Sequence, residues 1–358
     1  MSSNFKSVPT HPEPLREVSS YRVAIVGAGS LKGKEIAEVM GDRNFPSLDI
    51  KLLDDDESLG QLETVGEEIT FIQTVRAEQF DNMDFTFFAS DADCTRKNWK
   101  AARKAGSAIV DLSYALEDEP EARLRSPWIE RQLGKIQAPE LQPAPSVVAH
   151  PAAVVTALLM LRMQKAANLR QVVATIFEPA SEHGQKGIDE LHEQTVNLLS
   201  FQPLPKDVYD AQVAFNMVSR YGQESIPSLA TVESRVLKHF QKIVPPGTLL
   251  PSVLLLQAPI FHGYAFALHV KLDAAADLAV IVAALAGEHV TVTPTTEDAP
   301  TNVSAAGQSD ILVSVVPDAS DPNSFWISAA ADNLRIAAAT AVECAESMAA
   351  SRPRGKIQ

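Results

Sequence analysis

Tyr21-Arg22-Val23-Ala24-Ile25-Val26-Gly27-Ala28-Gly29-Ser30-Leu31-Lys32-Gly33-Lys34-Glu35 reads as a strand, a tight turn and the start of a helix. Val23 to Val26 are small or β-branched and suit a buried strand. Gly27 and Gly29 permit backbone angles that a Cβ forbids. Gly33 lets the new helix lie close to the strand. The amides at the helix start, around Ser30 and Leu31, join the positive end of the helix dipole, an arrangement that favours a phosphate. Strand, glycine turn and helix in this order form the first unit of a dinucleotide-binding βαβ fold. A plain strand–loop–helix, with glycines kept for packing, is the alternative.

Outward from this stretch, Glu35 to Gly41 has helical spacing, with Ile36, Val39 and Met40 on one side. A second strand, Asp49 to Leu53, ends in Asp54-Asp55-Asp56-Glu57. An acid at this point, about twenty residues past the glycine turn, is where such a fold bonds the ribose 2′-hydroxyl. Asp54 and Asp55 are therefore cofactor candidates with Gly27, Gly29, Ser30, Leu31 and Gly33. Four acids repel a 2′-phosphate, so NAD is favoured over NADP. A solvated acidic loop, with no nucleotide bound, is the other reading. Asp84 to Ala89 is a further strand, Thr95 to Ala105 an amphipathic helix stopped by Gly106, and Ser107 to Ser113 another strand. This rhythm implies a parallel sheet with right-handed crossovers. Glu117 to Pro145, rich in proline and charge, reads as a boundary segment.

The second half has a different texture. Thr156 to Ala167, Ile188 to Ser200 and Thr231 to Val244 read as helices, and Asn333 to Ala350 as a last, alanine-rich one. Val172–Phe177, Ala214–Val218, Val253–Pro259, Tyr264–Leu272, Asp310–Val316 and Phe325–Ala329 read as strands. Thr291 to Ala306 looks like an exposed loop, and Leu278 to Ala286 like a core helix too short to span a bilayer. Residues 1–20 read as a loose leader, 21–148 as a Rossmann-like domain completed by helix 333–351, and 149–332 as a substrate and dimerisation domain. With 358 residues, 46% hydrophobic and 21% charged, the chain has the composition of a two-domain globular protein. Its net charge of -14, with no basic cluster, argues against nucleic acid or an anionic membrane as partner. Cys94 and Cys344 offer neither a disulfide framework nor zinc spacing. No metal site is expected, and a reducing cytoplasm fits.

Several stretches in one colinear order resemble aspartate-semialdehyde dehydrogenase and its relatives, from Tyr21 to Met348. They are Gly27–Glu35, Leu52-Leu53 with Ser58-Leu59-Gly60, Val110–Ser113, His150-Pro151, Gly187–Leu191 with Gln194-Thr195, Ala214–Asn216, Pro259 with Gly263, and Asp332–Arg335. The resemblance implies an amino-acid-biosynthesis oxidoreductase fold: an α/β Rossmann-like NAD(P)-binding domain plus a second α+β dimerisation domain with a mixed sheet, and hence a homodimer. The family's chemistry needs a cysteine thiolate, a histidine acid/base and arginines that hold the substrate carboxylate and phosphate.

Carried over residue by residue, the nucleophile position falls on Ala153 in His150-Pro151-Ala152-Ala153. The base position falls on Tyr264, the substrate arginine on Gln257, the phosphate arginine on Leu116 and the nearby glutamine on Glu178. Arg235 keeps a basic residue beside Glu233, whose own register is open. The glycine turn reads Gly27-Ala28-Gly29-Ser30 where the family has Gly-Ala-Thr-Gly, and the 2′-phosphate contacts fall on Asp55 and Glu57. The first implied reading is a pseudoenzyme that keeps the fold, pairs with itself or with a catalytic relative, and lacks the thioester mechanism. A second is an active NAD-dependent oxidoreductase on another small substrate, with Tyr264, His150, His183 or Glu178 as acid/base, against the alternative of structural histidines. A third relocates the nucleophile to Cys94, whose place near a helix start lowers a thiol pKa; a packed, incidental thiol is the competing view.

Overall fold

The protein is described by a computed structural model covering residues 20–54, 62–65, 68–135, 140, 142–294 and 296–351. Residues 1–19 of the leader, and Asp55, Asp56, Glu57, Ser58, Leu59 and Gly60, lie outside the described residues.

The first half runs β1 (Tyr21–Val26), α1 (Leu31–Asp42), β2 (Ser47–Asp54), β3 (Leu62–Val65), β4 (Glu68–Phe71), β5 (Gln73–Thr74), β6 (Phe85–Phe88), α2 (Ala92–Lys104), β7 (Ala108–Asp111), β8 (Arg123–Arg125), α3 (Pro127–Gln132) and β9 (Ser146–Val148). Seven of these strands form one sheet in the order β5-β2-β1-β6-β7-β9-β8. Every pairing in it is parallel. Both faces of a parallel sheet are covered, so its strands are continuously apolar. Val23–Val26, Phe85–Phe88 and Ala108–Asp111 are accordingly buried at every residue. The strand order reverses between β1 and β6, which opens a crevice at their carboxyl ends.

The second half runs α4 (Pro151–Ala166), β10 (Leu169–Glu178), α5 (Gly184–Leu199), α6 (Leu229–Ile243), β11 (Ser252–Gln257), β12 (Tyr264–Leu272), α7 (Leu278–Leu285), β13 (Val290–Val292), α8 (Asn302–Ala305), β14 (Ile311–Pro317), β15 (Ser324–Ala331) and α9 (Asn333–Ser351). Its six-stranded sheet, β11-β10-β12-β15-β14-β13, is mixed. β10/β11 and β13/β14 are parallel, and the central pairs are antiparallel. Alternation of buried and part-exposed residues along all nine positions of β12 shows one face turned to the core. α9 returns to the first half: Arg335 binds Glu35 (2.9 Å), Glu38 (3.2 Å) and Asp42 of α1.

Four expectations need correction. The boundary segment holds β8 and α3, because Pro127 starts a helix at its first turn instead of breaking one. Ala214–Val218 is not a strand. The Val213 and Ala214 amides donate to Gln194 Oε1 on α5 (2.8 and 3.2 Å), and only Val218 bridges to Gln257. The polar stretch 291–306 contains part of β13 and the short α8, whose start is fixed by a Thr301–Ser304 capping box. α7 is a surface helix that buries only Ile281 and Leu285, since two turns present one stripe to a core.

Candidate functional site

At the end of β1, Gly27 has φ +83°, and a Cβ there would stand 2.4 Å from the Ser90 amide nitrogen. A Cβ on Gly33 would stand 2.1 Å from the Gly27 carbonyl oxygen. Both glycines are thus required by close approach. Gly29 differs from the sequence expectation, since it is not among the glycines with positive φ. Its amide donates to Asp54 Oδ2 at 2.7 Å. Ser30 caps α1, accepting from the Gly33 amide (3.0 Å) and donating to the Ala89 carbonyl (3.0 Å). These contacts tie the glycine turn to β2 and β6 across the crevice.

Beside the turn lies a cleft of about 470 Å³ lined by Asp54, Thr74, Asp91, Asp93, Lys97 and Cys94, among others. It opens at the carboxyl end of the sheet, where an open α/β fold binds its ligand. Its carboxylates suit hydroxyl groups and oppose an added phosphate. The Cys94 thiol does not behave as its helix position suggested. Burial pushes its pKa up, and Asp91 and Asp54 push the same way against hydrogen bonds from Ser90 and Asn98. Asp91 itself takes the α2 N-cap, accepting from the Asp93 and Cys94 amides (both 2.8 Å).

The family-aligned site residues come together at the ends of the second sheet. Gln257 on β11 is the register partner of Glu178 on β10, and β10 runs against β12 with Phe177 opposite Ala265. Gln257, Glu178 and Tyr264 therefore form one row across three strands, all fully buried. Gln257 Nε2 is committed to the Glu178 and Ala258 carbonyls (3.1 and 2.8 Å). The Tyr221 hydroxyl donates to Gln257 Oε1 (2.7 Å), so it accepts from His183 Nε2 (2.9 Å), and that N–H also reaches Glu178 Oε1 (3.2 Å). Glu178 Oε2 and the Tyr264 hydroxyl are buried with no hydrogen-bond partner. Burial, with Glu182 and Glu178 nearby, holds the Tyr264 phenol well above its ordinary range.

Above the row, His150 caps α4, its Nδ1 accepting from the Ala152 amide (3.3 Å). Burial keeps this imidazole neutral. Ala153, in the first turn of α4, is fully buried. His239 on α6 accepts the His150 amide at Nδ1 (3.0 Å) and donates from Nε2 to Glu117 (3.0 Å), which fixes its tautomer. Tyr114, with φ +62°, stacks on His150 at 5.6 Å between Lys32 (5.0 Å) and Arg235 (4.9 Å). Arg235 also binds Glu117 at 3.2 Å. Glu233 faces elsewhere: it accepts the Leu255 amide on edge strand β11 (2.9 Å). Leu116 is a buried core residue below the turn built by Asp111, and Cys344 is buried in α9 with its thiol pushed up to about 12. Sequence reading missed Tyr114, Tyr221, His239 and Glu117. Glu117 lay in the supposed boundary segment, and neither aromatic carries a local motif.

Comparison with known proteins agrees with this architecture. Residues 22–139 match the model of the semialdehyde dehydrogenase NAD binding domain, and 159–336 that of the semialdehyde dehydrogenase dimerisation domain. The chain is 30% identical to the USG-1 protein homolog of Azotobacter vinelandii over 332 residues, covering 90% of this chain and 96% of that one. It is 25% identical to the aspartate-semialdehyde dehydrogenase of Rickettsia bellii, covering 92% and 97%. The solved structure of a probable aspartate-semialdehyde dehydrogenase from Pseudomonas aeruginosa superposes with a TM-score of 0.80 at 28% identity, over 92% of this chain and 98% of that one. With the parallel nucleotide-type sheet, the cleft at its carboxyl end and the mixed second sheet, these likenesses place the chain in the aspartate-semialdehyde dehydrogenase family.

Proposed function

We propose that this family member binds NAD in preference to NADP and does not carry out the family's thioester dehydrogenation. The observation that carries the reading is Ala153, a buried methyl group in the first turn of α4. No side chain there can attack a carbonyl, and a dehydrogenase of this type needs a thiolate. The two thiols are remote in chemistry as well as place: Cys94 lines the acidic cleft and Cys344 is sealed inside α9. Tyr264 and Gln257 at the base and carboxylate positions support the same reading. A bound dinucleotide would supply a hydride acceptor. The Gly27 turn, Ser30, Leu31, Gly33 and Asp54 are the residues that would hold it, the Gly29 amide tying the turn to Asp54 at the end of β2 (2.7 Å).

The chain would act as a homodimer, or beside a catalytic relative, through the second sheet's domain. Support comes from exposed apolar side chains such as Leu199, Phe201, Phe215 and Leu254. Among the described residues no helix is long and apolar enough to cross a membrane. Two unpaired cysteines accord with a cytoplasmic setting. The test is incubation of the purified protein with aspartate semialdehyde, phosphate and NAD or NADP, with intact-protein mass spectrometry for an acyl-enzyme. Neither turnover nor adduct is expected; phosphate-dependent turnover overturns the reading. Calorimetry with both nucleotides should give binding of NAD alone.

A further inference from the structure

Two buried polar atoms in the row across β10 and β12 lack a partner, Glu178 Oε2 and the Tyr264 hydroxyl. Leaving either unsatisfied costs about 1–3 kcal/mol, more for a charged group, and native interiors pair such atoms with protein, water or ligand. The charge balance points to the kind of group that completes them. Among the described residues His183 is the only basic side chain within ion-pair distance of Glu178, and its N–H is shared with Tyr221. A second carboxyl, Glu182, stands close by, with Oε1 accepting from Asn333 Nδ2 (3.0 Å). Gln257 has both amide hydrogens engaged, so it cannot receive a ligand carboxylate. The surroundings are aromatic: Tyr264 packs 5.6 Å from Phe266 and 6.2 Å from His150, and His183 packs edge-on to Tyr209 and Tyr221. Carboxylate and ring faces together are what an organic cation requires.

We propose that Glu178 and Tyr264 form a binding site for a small organic ammonium ion, Glu178 Oε2 serving as its charge partner and the Tyr264 oxygen as a second hydrogen-bonding group. An ammonium carries donors for both oxygens and a charge opposite to that of Glu178, whose one basic neighbour within ion-pair distance among the described residues is the shared His183. Lys32 and His183 act on Glu182, and an anionic ligand would meet the Glu178 carboxylate. The inference rests on reading the family-aligned site as one without a nucleophile, and its test is kept separate by omitting nucleotide, semialdehyde and phosphate. The full-length protein is titrated calorimetrically with n-butylammonium chloride, sodium butyrate and 1-butanol. Saturable binding of the ammonium is expected, at least about tenfold tighter than either control. Glu178→Gln should weaken it by about tenfold or more. Tyr264→Phe should weaken it as well without lowering the melting temperature, because it removes an unpaired buried hydroxyl; this variant carries the test if Glu178→Gln does not fold. Response to none of the probes means that water alone fills the row, and overturns the proposal. So does butyrate binding as tightly as the ammonium, or unchanged affinity in both variants. Semialdehyde turnover would refute the nucleophile-free reading while leaving ammonium binding to stand or fall on these titrations.

Discussion

Two glycines of the same helix should respond in opposite directions to the same methyl group. In Gly33→Ala the added Cβ would lie 2.1 Å from the Gly27 carbonyl oxygen and 2.9 Å from Ala28 Cα. Ordinary contact begins at 3.4 Å, so helix and turn must part by about 1.3 Å. The obstacle is backbone, and no side chain can rotate away from it. Overpacking typically costs about 1–3 kcal/mol; a backbone obstacle puts this substitution near 3. Gly41→Ala meets nothing within 4 Å and lies inside α1. There the gain in helix propensity, about 0.5–1 kcal/mol, is unopposed. The variants should therefore differ by about 3–4 kcal/mol. Urea unfolding followed by Trp99 and Trp128 fluorescence measures each, with melting temperature as a second readout. NAD titration should show Gly33→Ala impaired and Gly41→Ala unchanged. Equal stabilities, within about 0.5 kcal/mol, would refute the claim that close packing at the turn dictates Gly33.

Glu117 sits at a crossing of Arg235, Lys238 and His239. Burial raises its carboxyl pKa, but the His239 hydrogen bond and the cations outweigh this and bring it to about 2. A carboxyl depressed in the folded state contributes stability present above its unfolded value and lost as pH falls from 4.5 towards 2. Glu117→Gln should flatten the acid limb of a stability–pH curve in that window and destabilise the protein at pH 7; an unaltered acid limb would contradict the assignment. Thiol labelling at pH 7 should also separate the cysteines. Cys94 should react slowly, faster as pH rises, and be protected by NAD if the acidic cleft is the nucleotide site, while Cys344 should react only after unfolding. Rapid labelling of Cys94 at neutral pH would revive it as a nucleophile.

The parallel half was legible because its signals are local. Strands buried on both faces are written as unbroken apolar runs such as Val23–Val26 and Phe85–Phe88, and the glycine turn is dictated within seven residues. Ala153 likewise needed no coordinates, since the residue type alone excludes a nucleophile. What the sequence could not assign was partnership. The amides of Val213 and Ala214 look available for a strand, yet a glutamine on α5 takes them. Pro127 marks a helix start and not a break, because its missing N–H falls where none is needed. The row of Gln257, Glu178 and Tyr264 exists only through register, because β10, which carries Glu178, lies far along the chain from β11 and β12 and inserts between them. The tautomer of His239 and the cage around Tyr114 depend on α6 packing over α4. Residue chemistry and local backbone preference travel with the sequence. Which buried oxygen finds a partner, and which is left for a ligand, is settled only when non-local strands and helices close on one another.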